Sequence, residues 1–93
     1  MGYHVKVLLN ANFREIVGKR EIIKKINSDS TLKNILDNLA KIYGKDFHQL
    51  IDPNTDLISL EFLVSVNGQI VRDINTKLNN GDILIITIPA GGG

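Results

Sequence analysis

Hydrophobic and polar positions change period several times along the chain, and each change marks an element. From His4 to Leu9, Val5, Val7 and Leu9 alternate with His4 and Lys6. That period of two predicts an opening strand with one face buried. Asn10 to Gly18 reads as a connection, with Gly18 at a turn. Arg20 to Ile26 is rich in isoleucine and carries Arg20, Glu21, Lys24 and Lys25, which predicts a hairpin return strand at a sheet edge, where lysines discourage stray pairing. The capping-type residues Asn27-Ser28-Asp29-Ser30 come next. Beyond them Leu32, Ile35, Leu36, Leu39 and Ile42 fall at helical spacing, ahead of Gly44. One amphipathic helix over Thr31 to Tyr43 follows from this stripe.

Lys45 to Leu60 has no clear period; Asp52-Pro53-Asn54 marks a turn, and Phe47, Leu50, Ile51 and Leu57 are expected at the core edge. Glu61 to Val66 sets Phe62, Val64 and Val66 on one face, and Asn67-Gly68 is a strong hairpin signal because both residues tolerate positive φ. Gln69 to Val71 is then a short return strand. Asn79-Asn80-Gly81-Asp82 forms another tight turn. Ile83 to Ile88 is apolar at nearly every position, the pattern of a central strand covered on both faces. Pro89 ends the ladder because it has no amide hydrogen. A hairpin, a helix, two short strands and a final central strand describe an α+β, β-grasp (ubiquitin-like) fold. The expected architecture is a mixed sheet of four to five strands with one main helix across it. Residues 1–88 form the domain and residues 89–93 a flexible glycine tail.

Composition removes several kinds of chemistry. The 93 residues suffice for one small core. A net charge of +1 gives no electrostatic case for nucleic-acid or membrane binding. No apolar run approaches a membrane span and no secretory signal opens the chain, so a cytoplasmic protein is expected. With no cysteine, disulfides, thiolate metal sites and a cysteine nucleophile are excluded. His4 and His48 have no ligand spacing, and the acidic residues form no acid–base pair. The reading is therefore of a non-enzyme that holds no metal and no cofactor of its own.

What remains is the end of the chain, Pro89-Ala90-Gly91-Gly92-Gly93. Glycine lets another surface approach closely, so the run suits threading into a narrow partner channel; a frayed end or an added scar is the alternative. Taken with Val5 to Leu9, Phe13-Arg14-Glu15 with Gly18, the capped helix from Thr31 to Gly44, Val66-Asn67-Gly68, Leu78-Asn79-Asn80-Gly81-Asp82 and Ile88-Pro89-Ala90-Gly91-Gly92, the chain resembles the MoaD/ThiS family of ubiquitin-like sulfur carriers. That group includes the small subunit of molybdopterin synthase.

The resemblance implies that a partner adenylating enzyme uses ATP to activate the terminal glycine carboxylate, at Gly92 or Gly93, and that sulfur then displaces the adenylate to leave a thiocarboxylate. Family members usually end at Gly-Gly, so Gly93 is either native or an addition. Molybdopterin, thiamin and tRNA thiolation are the pathways implied, with the large subunit of molybdopterin synthase as a further partner. Pro89, Ala90 and Gly91 would line the partner's channel, reached by a tail spanning on the order of 17 Å when extended. Leu8, on the outward face of the first strand, is expected to dock the body on its activating enzyme; Phe13 and Arg14 join it through the resemblance, Phe13 with a core role as the alternative. A protein modifier joined to lysines through the same terminus is the competing function. A β-grasp adaptor or RNA-binding module, which would need an aromatic sheet face, is more remote.

Overall fold

The computed structural model describes residues 2–10 and 12–89. Its main sheet has five strands, in the spatial order β2 (Glu21–Ile26), β1 (Tyr3–Leu9), β7 (Ile83–Thr87), β5 (Leu63–Val66) and β6 (Gln69–Ile70). β1 (Tyr3–Leu9) and β2 (Glu21–Ile26) are antiparallel, with Lys6 opposite Ile23. β7 (Ile83–Thr87) runs parallel to β1, with Leu9 opposite Ile86. β5 (Leu63–Val66) closes antiparallel on β7 and carries the short β6 (Gln69–Ile70). This is the mixed β-grasp sheet expected from the sequence, and β2 is its edge strand.

Between β1 and β2, where a plain connection was expected, the chain forms a helix, α1 (Asn12–Val17). Phe13, Ile16 and Val17 stand at i, i+3 and i+4, so one face packs inward while Gly18 (φ +82°) ends the helix and donates to the Arg14 carbonyl. Helix α2 (Leu32–Tyr43) lies across the sheet as expected, burying Leu32, Ile35, Leu36, Leu39 and Ala40. Ile42 is not part of that stripe: it is 54% exposed. The N-cap is Thr31, whose amide donates to Asn34 Oδ1 at 2.8 Å and whose hydroxyl accepts from the Asn34 amide. Two further N-terminal amides, of Leu32 and Lys33, donate to the carbonyls of Thr76 and Ile74. The loop before β7 thus completes the cap, with Ile74 and Leu78 buried beside it.

The irregular stretch resolves into α3 (Lys45–His48) and a small hairpin of β3 (Ile51–Asp52) and β4 (Leu57–Ile58). Phe47 and Leu50 are buried, and Ile51 and Leu57 half-buried. β7 is central, but it is not covered on both faces. Leu84 and Ile86 are buried under α2, while Ile83 is exposed and Ile85 half-buried. Both of the helices that follow β2 lie on one side of the sheet, so the other face of β7 meets no layer among the described residues.

Candidate functional site

Two features meet at the end of the sheet where β7 finishes. Because β1 and β7 are parallel, the residues following β1 and the exit of β7 at Ile88-Pro89 lie at the same sheet end. Asn10 fixes this by donating its amide to the Ile86 carbonyl at 3.2 Å. Leu8, Leu9, Asn10, Arg14, Arg20 and Glu21 line a shallow cavity of about 350 Å³ there. It brings together Leu8 and Arg14, two of the residues singled out in the sequence, and adds Arg20. The cavity sets the two guanidinium-bearing residues against the single carboxylate of Glu21.

The second feature is the outward sheet face. Register aligns Leu8 with Ile85, and Ile85 with Ser65; Leu63 aligns with Thr87, and Ile70 with Ser65. Leu8, Leu63 and Ile85 are half-buried, Ile83 is exposed, and Ile70 at the margin is 65% exposed. An apolar strip therefore crosses three strands beside the tail exit. A strand with one helix layer leaves Ile83 and Ile85 on the opposite face, and the continuous apolar run of β7 gives no sign of it. No Phe, Tyr or Trp belongs to this face among the described residues.

Phe13 is a correction. It is 1% exposed, with its ring centroid 5.1 Å from Phe47 and 5.7 Å from Phe62. A ring enclosed in that cluster offers nothing to a docking partner. Pro89 is half-buried two residues beyond the end of β7, and Ala90, Gly91, Gly92 and Gly93 lie outside the described residues.

The turn preceding β7 is held by a polar network. Asp82 is buried and accepts from Asn67 Nδ2 at 2.8 Å and from the Asn79 amide at 2.7 Å. Asn67 Oδ1 accepts from the Ile83 amide at 2.9 Å, and the Gly81 amide donates to the His4 carbonyl at 2.7 Å. These contacts fix the start of β7 and with it the line along which the chain leaves the sheet. Among the described residues no group of three or more His, Cys, Asp or Glu is placed to hold a metal ion, and no helix is long and apolar enough to cross a membrane.

A main helix, α2, lying across a mixed five-stranded sheet with a parallel central pair, in a chain whose sequence goes on past the last strand to a glycine run, defines a ubiquitin-like β-grasp protein. The sequence profile of the ThiS family matches residues 7–93, so the chain belongs to the ThiS family. No curated protein matches the sequence. Among solved structures it is similar to the HVO 2177 protein of Haloferax volcanii, at 26% identity and a TM-score of 0.80, over 99% of this chain and 88% of that one. SAMP1 of the same organism aligns at 21% identity and a TM-score of 0.75, over 97% and 99% of the two chains. A protein assigned as molybdopterin converting factor, subunit 1, from Pyrococcus furiosus aligns at 22% identity and a TM-score of 0.72, over 95% and 99%. The family match places the chain among ThiS proteins, and these solved neighbours share its fold.

Proposed function

We propose that the chain is a cytoplasmic sulfur carrier whose glycine terminus, Gly92 or Gly93, is the reactive group. In this reading a partner enzyme directs the glycine carboxylate onto the α-phosphorus of ATP. Pyrophosphate leaves and an acyl-adenylate forms. Hydrosulfide attacks the carbonyl carbon, AMP departs, and a thiocarboxylate remains for donation to molybdopterin, thiamin or tRNA thiolation. The observation that carries it is the parallel β1–β7 pairing. It brings Pro89, the last described residue before the glycines in the sequence, to the sheet end that carries the Leu8–Arg14 cavity and the apolar outward face. A partner gripping Leu8, Ile85 and Arg14 would receive the tail in line. The large subunit of molybdopterin synthase, whose small-subunit counterpart shares this fold, is a second candidate for that face.

The modifier reading uses the same terminus and the same face. It is favoured by the neighbouring SAMP1 structures, which are of small archaeal modifier proteins. Intact mass after incubation with ATP, sulfide and the cognate adenylating enzyme separates the two. A carrier gains the difference of sulfur over oxygen, and loses that gain when Gly92 and Gly93 are deleted. A modifier shows no such gain and instead forms adducts on lysines of other proteins in lysate. Neither result would leave an adaptor and would sink both readings.

A further inference from the structure

We propose that Asn67-Gly68 is a spontaneous deamidation site, gated by Asp82, at which the chain exchanges the Asn67 side-chain amide for a carboxylate. The proposal does not depend on the chemistry of the tail.

The sequence holds two Asn-Gly steps, Asn67-Gly68 and Asn80-Gly81. Asparagine is thermolabile, most of all before glycine, whose missing Cβ leaves its nitrogen free to approach the preceding side chain. Both steps are exposed, and at neither glycine does anything stand within 4 Å of where a Cβ would be. Access therefore does not separate them; hydrogen bonding does. The Gly81 amide donates to the His4 carbonyl at 2.7 Å, and Asn80 Oδ1 accepts from the His4 amide at 2.9 Å. Nucleophile and electrophile of that step are both fastened to β1, a strand inside the sheet. At Asn67-Gly68 the two-residue turn between Val66 and Gln69 has φ values of +52° and +86°, the type I′ geometry. The Gly68 N–H stays outside the ladder, and among the described residues it donates to no other group.

What holds Asn67 back is its own side chain. Nδ2 donates to Asp82 Oδ1 at 2.8 Å, and Oδ1 accepts from the Ile83 amide at 2.9 Å. These bonds tie the carboxamide to the turn before β7, so Cγ meets the Gly68 nitrogen only when they open. Opening is local, because β6 is an exposed strand of two residues at the sheet edge. Hydroxide then removes the Gly68 amide proton, and the nitrogen attacks Asn67 Cγ. The Cγ–Nδ2 bond breaks, ammonia leaves with a proton from water, and a cyclic succinimide forms. Water opens the ring at either carbonyl, giving aspartate or, with the backbone rerouted through the side chain, isoaspartate. The net change consumes water and releases ammonia, with no oxidant or reductant.

The product conflicts with its surroundings. Buried Asp82 loses the Nδ2 donor and faces a second carboxylate in its place, and like charges repel. The formal net charge falls from +1 to zero. A contact that joined the hairpin turn to the start of β7 becomes a repulsion.

The test incubates the folded full chain at mildly alkaline pH, with the urea-unfolded chain in parallel, and locates the mass gain of deamidation by peptide fragmentation. Folding should slow Asn67 at least about fivefold less than Asn80, the factor that one hydrogen bond at the Gly81 nitrogen implies. Asp82→Ala, which removes the acceptor of Nδ2, should speed conversion of Asn67 by about fivefold for the same reason. If that variant fails to fold, the comparison of Asn67 with Asn80 in the wild-type chain carries the test. In ¹H–¹⁵N spectra, Asn67→Asp should reproduce the shifts that the aspartate form of the aged chain shows at Asn79 and Ile83. Equal protection of Asn67 and Asn80 by folding would overturn the proposal. So would no gain at Asn67 while the unfolded chain converts fully, or a wild-type rate in folded Asp82→Ala.

Discussion

Asn67 and Asp82, fifteen residues apart, share a hydrogen bond of 2.8 Å that joins the hairpin turn after β5 to the turn before β7. Each belongs to a short turn motif legible in the sequence, Asn67-Gly68 and Gly81-Asp82, and the bond makes the two motifs one structure. Replacing Asp82 by Ala leaves Asn67 Nδ2 and the Asn79 amide without their acceptor. A loss of about 1–3 kcal/mol is expected in urea unfolding. In a double-mutant cycle with Asn67→Ala the two losses should not add, with a coupling of about 0.5–3 kcal/mol. Additive losses would mean that the contact does not contribute.

Phe13 and Leu8 should separate stability from docking. Phe13→Ala removes a ring enclosed by Phe47 and Phe62 and should cost about 3–5 kcal/mol. Leu8→Ala, on a half-buried face, should cost about 1 kcal/mol yet lower the rate of adenylation by the partner enzyme. If Leu8→Ala is adenylated at the wild-type rate while folded, the outward face is not the docking surface.

Gly81 has φ +88° and nothing within 4 Å of where a Cβ would stand. Gly81→Ala should therefore cost about 1–2 kcal/mol from backbone conformation alone, with no steric contribution. A melting curve indistinguishable from wild type would contradict this.

At the start of α2, Thr31→Ala should cost only about 0.5–1 kcal/mol, the low end for a cap. The amides of Leu32 and Lys33 keep their bonds to Thr76 and Ile74. Ile74→Ala, which empties a buried site beneath the same loop, should cost about 2–5 kcal/mol. Reversal of that order in denaturant titrations would mean that Thr31, and not the loop, anchors the helix start.

Deleting Gly92 and Gly93 should leave the free energy of unfolding unchanged within about 0.5 kcal/mol, because no side chain is removed from the core, while it abolishes the mass gain on thiocarboxylation. A large fall in stability would assign the tail a structural role.

Local pattern was enough for β1, α2, the Asn67-Gly68 turn and the order of the five main-sheet strands around α2, because period two, period 3.6 and positive-φ residues each act within a few positions; it missed α1, α3 and the β3–β4 hairpin. It also identified the edge character of β2 from its lysines and the family from motifs spread along the chain. Tertiary structure decided what depends on distant partners. Phe13 went to the core because Phe47 and Phe62 stand around it, and Ile42 was left outside because α2 meets only one sheet face. Ile83 and Ile85 stayed uncovered because the second layer exists on one side only, which no run of apolar letters reveals. The cap of α2 drew on Ile74 and Thr76, some forty residues away in the chain, and the place where Pro89 leaves the sheet was set by parallel pairing with β1. Sequence determines which segments are strand or helix through local backbone and side-chain preference; which faces are covered is settled only when the layers assemble.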